Sequence, residues 1–205
     1  YTQEGGSFVR RIPQSVLDVS GDDAIVDWVW VELRDAVDPT DVLVARPALI
    51  QRDGDVTEPD GVTPLAMGLA DGSYKVVLRH RNHLGVMTAD GIALSGTISV
   101  VDLTQSGTTT YGTDARQSVN GTLVLWAGNV NGDDRVKYTG SGNDRDPILI
   151  SIGSIAPNNT ISGYVFEDVN LDGLVKYTGS GNDRDRVLQT IGSIVPSNVR
   201  VEQLP

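Results

Sequence analysis

The segment NVNGDDRVKYTGSGNDRD occupies residues 129–146, and the closely related DVNLDGLVKYTGSGNDRD occupies residues 168–185. The two copies start 39 residues apart, and the last eleven residues of the first copy, 136–146, recur unchanged as 175–185. Both copies place oxygen-bearing side chains at alternate positions, followed by a turn and a β-branched residue. Short loops that wrap a hard cation have this pattern. Because the same acidic spacing occurs twice at one fixed period, the duplication favours metal binding more strongly than either copy alone.

Each copy aligns with the twelve-residue loop of an EF-hand, which takes side-chain ligands at positions 1, 3 and 5, a backbone carbonyl at 7 and a carboxylate at 12. In the first copy, positions 1, 3, 5 and 7 are Asn129, Asn131, Asp133 and the carbonyl of Arg135. In the second copy they are Asp168, Asn170, Asp172 and the carbonyl of Leu174. Apolar Val136 and Val175 occupy position 8, where we expect them to anchor each loop to the core.

The twelfth position is displaced in both copies. It falls on Gly140 and Gly179, which have no side chain to coordinate an ion. The inserted Tyr-Thr-Gly-Ser-Gly is flexible enough to fold out and return a later carboxylate to the loop. The candidate closing ligands are Asp144 and Asp183, with Asp146 and Asp185 as rivals for the same role.

The alternative to a metal site is a pair of Asx-rich turns. Two loops in register, each between a strand and a short apolar helix, favour the metal. Calcium fits better than magnesium, because a loop rich in carbonyl and carboxamide oxygens suits the larger and more tolerant ion.

The two loops are not equivalent. The first starts with neutral Asn129, whereas the second starts with Asp168. The first also has Gly132 at position 4 and Asp134 at position 6, where a glycine normally permits the sharp turn. Because calcium affinity follows ligand charge and loop rigidity, the sequence predicts tighter binding in the Asp168 loop.

Residues 1–120 are predicted to form an antiparallel, Ig-like β-sandwich domain of a mainly β protein. Alternating runs separated by Gly, Asp and Pro turns indicate strands at 24–34, 41–51, 72–81 and 92–101. In the first strand, one face carries Ile25, Val29, Val31 and Leu33, and the other carries Trp28, Trp30, Glu32 and Arg34. Residues 103–120, rich in Ser, Thr and Gly, form either a linker or a long hairpin arm.

Residues 121–205 are predicted to form a small module of two repeats, 121–159 and 160–198. Each repeat contains a strand, a calcium loop and a short helix that a glycine ends. The predicted strands are 122–126 and 161–166, the helices 147–152 and 186–191, the glycines Gly153 and Gly192, and the closing strand 199–204. The predicted helix caps are Asn143 and Asn182, with Asp146 and Asp185 as their capping-box partners.

The composition of the 205-residue chain limits its functions. A formal net charge of -11 without a basic stripe argues against a nucleic-acid partner. The chain has no cysteine, so calcium is a suitable substitute for disulfides outside the cell. No apolar run approaches the roughly 20 residues of a membrane span. Without an initiator methionine or a signal peptide, Tyr1 is expected to open a processed protein or a fragment.

Two further polar groups give weaker indications of a site. Asp53, Asp55 and Asp60 form either a third cation site or a solvated turn. His80 and His83 lie three residues apart on a predicted strand. Their side chains are therefore expected on opposite faces, which argues against joint metal ligation.

The aromatic face of the first predicted strand suggests one other ligand. Trp28 and Trp30 are suited to cation–π contacts with Arg79 and Arg81, or to binding the sugar rings of a glycan. No Ser-His-Asp set and no phosphate-binding loop occurs at recognisable spacing. The sequence therefore favours a protein that is not an enzyme.

The duplicated strand, Asp-Val-Asn-Leu-Asp-Gly loop and short helix resemble the dockerin module with its paired calcium loops. The closer resemblance is to a dockerin-like C-terminal region of large secreted surface proteins from Bacteroidetes-type bacteria. Upstream it includes DWVWVELR at 27–34, LIQRDGD at 49–55 and RHRNHLGVM at 79–87, so it extends over most of the chain. The displaced twelfth ligand and the extra loop depart from the standard dockerin.

Together, the loops and the resemblance predict a calcium-stabilised structural or adhesion module without enzymatic activity, secreted or at the cell surface. A surface fibre or adhesin subunit is the first expectation, with other subunits or domains of the same assembly as partners. The alternatives are a C-terminal anchoring or sorting module of a larger secreted protein, and a carbohydrate-binding module.

Overall fold

The computed structural model describes residues 11–205 and the backbone of residues 2–3 and 6–7. Short antiparallel strands dominate these residues, and the helices are brief, so the prediction of a mainly β protein is confirmed. The strands are β1 (Thr2–Gln3), β2 (Gly6–Ser7), β3 (Ile25–Asp35), β4 (Val42–Gln51), β5 (Val56–Thr57), β6 (Gly72–His80), β7 (His83–Met87), β8 (Ile92–Leu94), β9 (Arg116–Val119), β10 (Thr122–Leu125), β11 (Arg135–Lys137), β12 (Thr160–Ser162), β13 (Leu174–Lys176) and β14 (Val199–Val201). The helices are α1 (Gln14–Leu17), α2 (Arg145–Ser151) and α3 (Asp183–Thr190).

The chain divides into two compact units. The first unit contains residues 1–78 and 90–101, and the second contains residues 79–89 and 102–205. This division differs from the predicted one at residue 120, because residues 79–89 and 102–120 are grouped with the repeats. Within the second unit, Leu84 N donates to the Trp126 carbonyl at 2.8 Å, which joins the segment 79–89 to the chain before the first loop.

In the first unit, β3 and β4 form a long ladder in which Val29 lies opposite Ala48. The strand order is β5-β4-β3-β6, and β8 pairs with β6. Val31 and Leu33 are buried like Val29, as the alternation predicts. The core of this sheet consists of Val29, Val31 and Ala48, packed against Ile50, Val56, Leu65, Met67, Val76 and Leu78.

One predicted strand of the first unit is mostly wrong. The strand expected at 92–101 ends at Leu94. Gly96 N donates to Asp71 Oδ1 at 3.1 Å, so the backbone leaves the ladder at this point. Ile98 and Val100 are 78% and 87% exposed, which shows that the apolar alternation there does not face a core.

In the second unit, the segment that follows each helix packs against the other loop. After α2, the chain forms β12, which pairs with β13 so that Ile161 lies opposite Val175. After α3, it forms β14, which pairs with β11 so that Arg200 lies opposite Val136. The predicted strands 161–166 and 199–204 are therefore confirmed only in part, since they end at Ser162 and Val201.

Hydrogen bonds from the inserted segments repeat this exchange. Thr178 Oγ1 donates to the Pro157 carbonyl at 3.1 Å, and Thr139 Oγ1 donates to the Pro196 carbonyl at 3.0 Å. One core lies beneath both loops and contains Leu84, Trp126, Val130, Val136, Ile148, Ile152, Val169, Val175, Val187 and Ile191. The two repeats thus fold around a shared core rather than as separate pieces.

The helix starts are close to those predicted. Asn182 caps α3, and its Oδ1 accepts from Asp185 N at 2.9 Å. Asn143 Oδ1 accepts from Asp146 N at the same distance, although α2 begins at Arg145. Both helices start two or three residues before the predicted 147 and 186, because apolar periodicity locates the buried face and not the first polar turn.

The shared core predicts a large difference between two isoleucines of α2. Ile148 is fully buried, whereas Ile150 is 65% exposed. We expect Ile148→Ala to lower the free energy of unfolding by about 2–5 kcal/mol, and Ile150→Ala to change it by less than about 0.5 kcal/mol. Urea denaturation of both variants measures the difference. Equal effects would contradict a core beneath the loops.

Candidate metal centres

The first loop folds with its predicted ligands turned inward. Asn129 Oδ1 and Asn131 Oδ1 both accept from Asp133 N, at 3.1 and 3.0 Å. Asp133 Oδ1 accepts from Arg135 N at 3.1 Å. These bonds hold the oxygens of positions 1, 3 and 5 on the concave side of one tight loop.

The second loop has the same geometry. Asp168 Oδ1 and Asn170 Oδ1 accept from Asp172 N at 3.1 and 2.9 Å, and Asp172 Oδ1 accepts from Leu174 N at 2.9 Å. One contact is added, because Asp168 Oδ2 accepts from Gly173 N at 3.1 Å. The sequence difference at position 1 therefore changes the charge of the loop without changing its path.

The displaced carboxylate lies against the start of its own loop. Asp144 Oδ1 accepts from Val130 N and Asn131 N at 2.7 and 3.2 Å, and its Oδ2 accepts from Lys137 N at 2.8 Å. Asp183 makes the equivalent contacts with Val169 N, Asn170 N and Lys176 N, at 2.7, 3.1 and 2.8 Å. Both carboxylates are fully buried. The insertion thus returns an Asp to the loop, which is the position expected of a closing ligand.

The rival aspartates lie elsewhere. Asp146 Oδ2 accepts from Asn143 Nδ2 at 2.8 Å, and its Oδ1 accepts from Arg145. Asp185 makes the same contacts with Asn182 and Arg184. Both side chains are about half exposed and fasten the first turn of a helix. Of the two candidates, the structure brings Asp144 and Asp183 to the loops and directs Asp146 and Asp185 away from them.

The inserted segment closes over each loop. Asn131 Nδ2 donates to the Gly142 carbonyl at 3.0 Å, and Asn170 Nδ2 donates to the Gly181 carbonyl at 2.8 Å. Lys176 Nζ donates to the Ser180 carbonyl at 3.1 Å, and Lys137 contacts Ser141 in the same way. The position-3 asparagines therefore use their nitrogen for the insertion and keep their oxygen for the loop.

Both loops need a left-handed residue at positions 4 and 6. In the first loop these are Gly132 and Asp134, with φ of 72° and 61°, and in the second they are Leu171 and Gly173, with φ of 60° and 83°. Each loop therefore has one glycine and one residue with a side chain in this region. Leucine tolerates it less well than aspartate, so the second loop carries the greater backbone strain.

Burial sets the charge state of the closing carboxylates. Burial, helped by the nearby Asp133 carboxylate, raises the pKa of Asp144 to about 6, although three backbone N–H donors lower it. Burial likewise raises the pKa of Asp183. By contrast, the side-chain hydrogen bond from Asn143 lowers the pKa of Asp146. A cation beside Asp144 or Asp183 would stabilise the ionised form that burial disfavours.

The tip of the hairpin at 79–89 contacts both loops, which the sequence did not indicate. The fully buried Asn82 accepts from Gly128 N and Asn129 N through its main-chain oxygen, at 2.9 and 3.1 Å. Its Nδ2 donates to the carbonyls of Phe166 and Asp168, at 2.8 and 2.7 Å. The polar run Arg-His-Arg-Asn-His at 79–83 was the one feature of the sequence that could have indicated these contacts.

The expectation that the side chains of the two histidines lie on opposite faces is wrong. His80 Nδ1 and His83 Nδ1 lie 2.9 Å apart, and the rings meet edge to face with centroids separated by 4.6 Å. β6 ends at His80 and β7 begins at His83, so the pair faces across a turn rather than along one strand.

The acidic residues of the proposed third site make local turns. Asp53 Oδ1 accepts from Asp55 N at 3.1 Å, and Asp60 accepts from Val62 N, Thr63 N and the Thr63 hydroxyl. Within residues 11–205, no three His, Cys, Asp or Glu side chains form a group able to hold a metal ion. The two loops differ from such a group because they combine carboxylates with carboxamide and carbonyl oxygens, a mixture that calcium accepts.

Comparison with known proteins finds no relative: no family model, no curated protein and no solved structure matches the chain. Among the described residues, no helix has the length and apolar character needed to cross a membrane.

The raised pKa of Asp144 predicts a pH-dependent stability in excess chelator. A carboxyl group whose folded-state pKa lies above its unfolded value stabilises the fold when protonated, and this contribution is lost as the pH rises from about 4 to about 6. We expect wild type to lose about 1 kcal/mol of stability relative to Asp144→Asn between pH 5 and pH 7, because only the part of the titration from pH 5 to about pH 6 falls within this range. Melting temperatures at the two pH values measure it.

Asp146→Asn is the matched control. The pKa of Asp146 is lowered, so its contribution is present at neutral pH and is lost on acidification. Its folded and unfolded pKa both lie below pH 5, so the stability difference between wild type and this variant should stay nearly constant between pH 5 and pH 7. An equal loss in both comparisons would contradict the assignment of the buried carboxylates.

Proposed function

We propose that residues 129–146 and 168–185 each bind one calcium ion and that the second unit is a calcium-stabilised, dockerin-like structural module. The observation that carries the proposal is the buried carboxylate of Asp144 or Asp183, returned to a loop whose positions 1, 3 and 5 all turn oxygens inward. The arrangement occurs twice with nearly identical distances. One such loop fits an Asx-rich turn, but two with the same displaced ligand fit a selected binding site.

The oxygens favour calcium over other ions. Each loop offers carboxamide, carboxylate and backbone carbonyl groups, and calcium takes six to eight oxygens in flexible geometry. In the first loop the ligands are Asn129, Asn131, Asp133, the carbonyl of Arg135 and Asp144. In the second they are Asp168, Asn170, Asp172, the carbonyl of Leu174 and Asp183. Transition metals prefer the nitrogen and sulfur ligands that these loops lack.

The ion would act as a structural link. Each loop ends in a strand, β11 or β13, that pairs with the segment following the opposite helix. The closing aspartate lies at the start of a helix that packs into the shared core. Calcium binding therefore becomes folding free energy for both repeats.

We propose that the first unit is a structural domain without enzymatic activity that accompanies this module in the chain. Its antiparallel sheet is compatible with an Ig-like sandwich. Calcium-dependent folding suits a secreted or cell-surface protein, because calcium is plentiful outside the cell.

A surface fibre or adhesin subunit agrees with these features, with other subunits or domains of the same assembly as partners. An anchoring or sorting module of a larger secreted protein is the alternative, and electron microscopy separates them, because filaments indicate a subunit.

The first prediction from this proposal concerns chelation. A site held at 100 times its dissociation constant adds about 2.7 kcal/mol to the free energy of unfolding. Two such sites should raise the melting temperature by roughly 10 °C or more. We expect excess EGTA to remove this difference in calorimetry. The double variant Asp133→Ala with Asp172→Ala is the control, and its melting temperature should not respond to EGTA. An unchanged melt of the wild type would overturn the proposal.

The second prediction ranks the loops. Asp168 gives the second loop one more carboxylate than Asn129 gives the first. The ligand charge outweighs the left-handed Leu171, because that strain is present before and after the ion binds. Isothermal titration should therefore show that Asp172→Ala loses the tighter site and Asp133→Ala the weaker one. The reverse order would mean that strain, not charge, sets the affinity.

A further inference from the structure

Asn82 joins the first ligand residues of the two loops. Its main-chain oxygen holds Asn129 N at 3.1 Å, and its Nδ2 holds the Asp168 carbonyl at 2.7 Å. Asn82 makes a second hydrogen bond to each loop region, with Gly128 N and with the Phe166 carbonyl, so each attachment consists of two hydrogen bonds. All four contacts are made by a single fully buried residue. We propose that Asn82 couples the two calcium sites, so that an ion in one loop raises the affinity of the other.

The inference rests on the proposed calcium function and adds communication between the sites. An ion that takes the side-chain oxygen of Asn129 fixes the backbone at 128–129. Because Asn82 accepts from both N–H groups there, its own position becomes fixed, and with it the donor that holds Asp168. The second loop then loses less conformational freedom when it binds its ion, and the coupling is positive.

Neighbouring residues hold the Asn82 side chain in this orientation. His83 Nδ1 lies 2.9 Å from Asn82 Oδ1, which directs Nδ2 towards the second loop. Arg81 contacts the Val165 carbonyl, and its guanidinium lies 4.4 Å from the centre of the Tyr164 ring. It also lies 3.9 Å from the Asp168 carboxylate. The hairpin tip is thus attached to the segment 164–168 at several points, which makes it a rigid link.

Asn82 contacts the two loops through different groups, so a substitution can separate the two attachments. The first loop is held by the backbone of residue 82, and the second is held by its side chain. Asn82→Ala therefore removes the two side-chain hydrogen bonds to the Phe166 and Asp168 carbonyls and leaves the main-chain attachment to the first loop and the Arg81 contact with Asp168 in place. This variant should weaken calcium binding at the second loop about tenfold, the value expected for losing buried hydrogen bonds, and change the first loop less than about twofold.

A double-mutant cycle tests the coupling itself. Calcium affinity at the second loop is measured by titration with the first loop intact or disabled by Asp133→Ala, in the Asn82 chain and in the Asn82→Ala chain. We expect Asp133→Ala to weaken the second site about fivefold or more when Asn82 is present, and less than about twofold when it is absent. Equal effects in both backgrounds would overturn the inference, since the coupling would then pass through the shared core.

Asn198→Ala is the matched control. Asn198 Nδ2 donates to the Ile191 carbonyl at 3.3 Å, in the same unit but at the end of α3. Its removal costs a side-chain hydrogen bond of the same kind and should leave the coupling unchanged. If Asn198→Ala abolished the coupling as well, the effect would reflect general destabilisation and the inference would fail.

Reciprocity gives a test in chains that retain Asn82. Coupling between binding free energies is equal in both directions. Asp172→Ala should therefore weaken the first site by the same factor as Asp133→Ala weakens the second, and the absence of either effect would overturn the inference even if Asn82→Ala does not fold. Two calcium ions bound without coupling would overturn the role of Asn82 and leave the proposed function standing. A wild-type chain that binds no calcium would overturn both.

Discussion

The buried carboxylates of Asp144 and Asp183 are the constraint on which the second unit depends. Each accepts three backbone N–H groups from its own loop while standing at the start of a helix. Each Asp thereby joins its loop to the helix that follows, although the insertion places this Asp four residues later in the chain than the twelfth position of the loop. Burial opposes the ionised form, so three N–H donors only partly compensate the lost hydration. The cation that we propose for each loop would stabilise the ionised carboxylate that burial disfavours.

Duplication gives this arrangement its stability. A strand as short as β11 or β13 is not stable alone, and neither helix exceeds eight residues. The chain solves this by sending the segment after each helix to the other loop, so that Pro157 and β12 close one loop and Pro196 and β14 close the other. The last strand of the chain thus completes the first repeat. Small elements become stable together because they share a core.

Local patterns were predictable from sequence and distant pairings were not. The inward oxygens of the loops, the Asn182 cap and the buried face of β3 depend on neighbours within a few residues, and periodicity finds them. Asn82 contacts Asp168 from 86 positions away, so no spacing could indicate it. The two histidines were misplaced for a related reason, because a two-residue turn changes which side chains meet. Alternation at 92–101 failed because exposed apolar residues can also alternate.

The difference between the loops follows from what surrounds position 1. Asp168 brings a charge to the second loop, but Arg81 lies 3.9 Å from that carboxylate, and Asn82 and Gly173 N also hold the residue. The second loop is therefore charged at position 1 and strained at Leu171, and the Asn82 side chain holds it, whereas the first loop is neutral at position 1 and Asn82 holds it through its main-chain oxygen. For the proposed calcium ion, firm attachment would reduce the conformational entropy lost on binding and so act in the same direction as the extra charge. The proposed affinity of the second site and the connection of this loop to the hairpin are thus two consequences of where Asp168 lies.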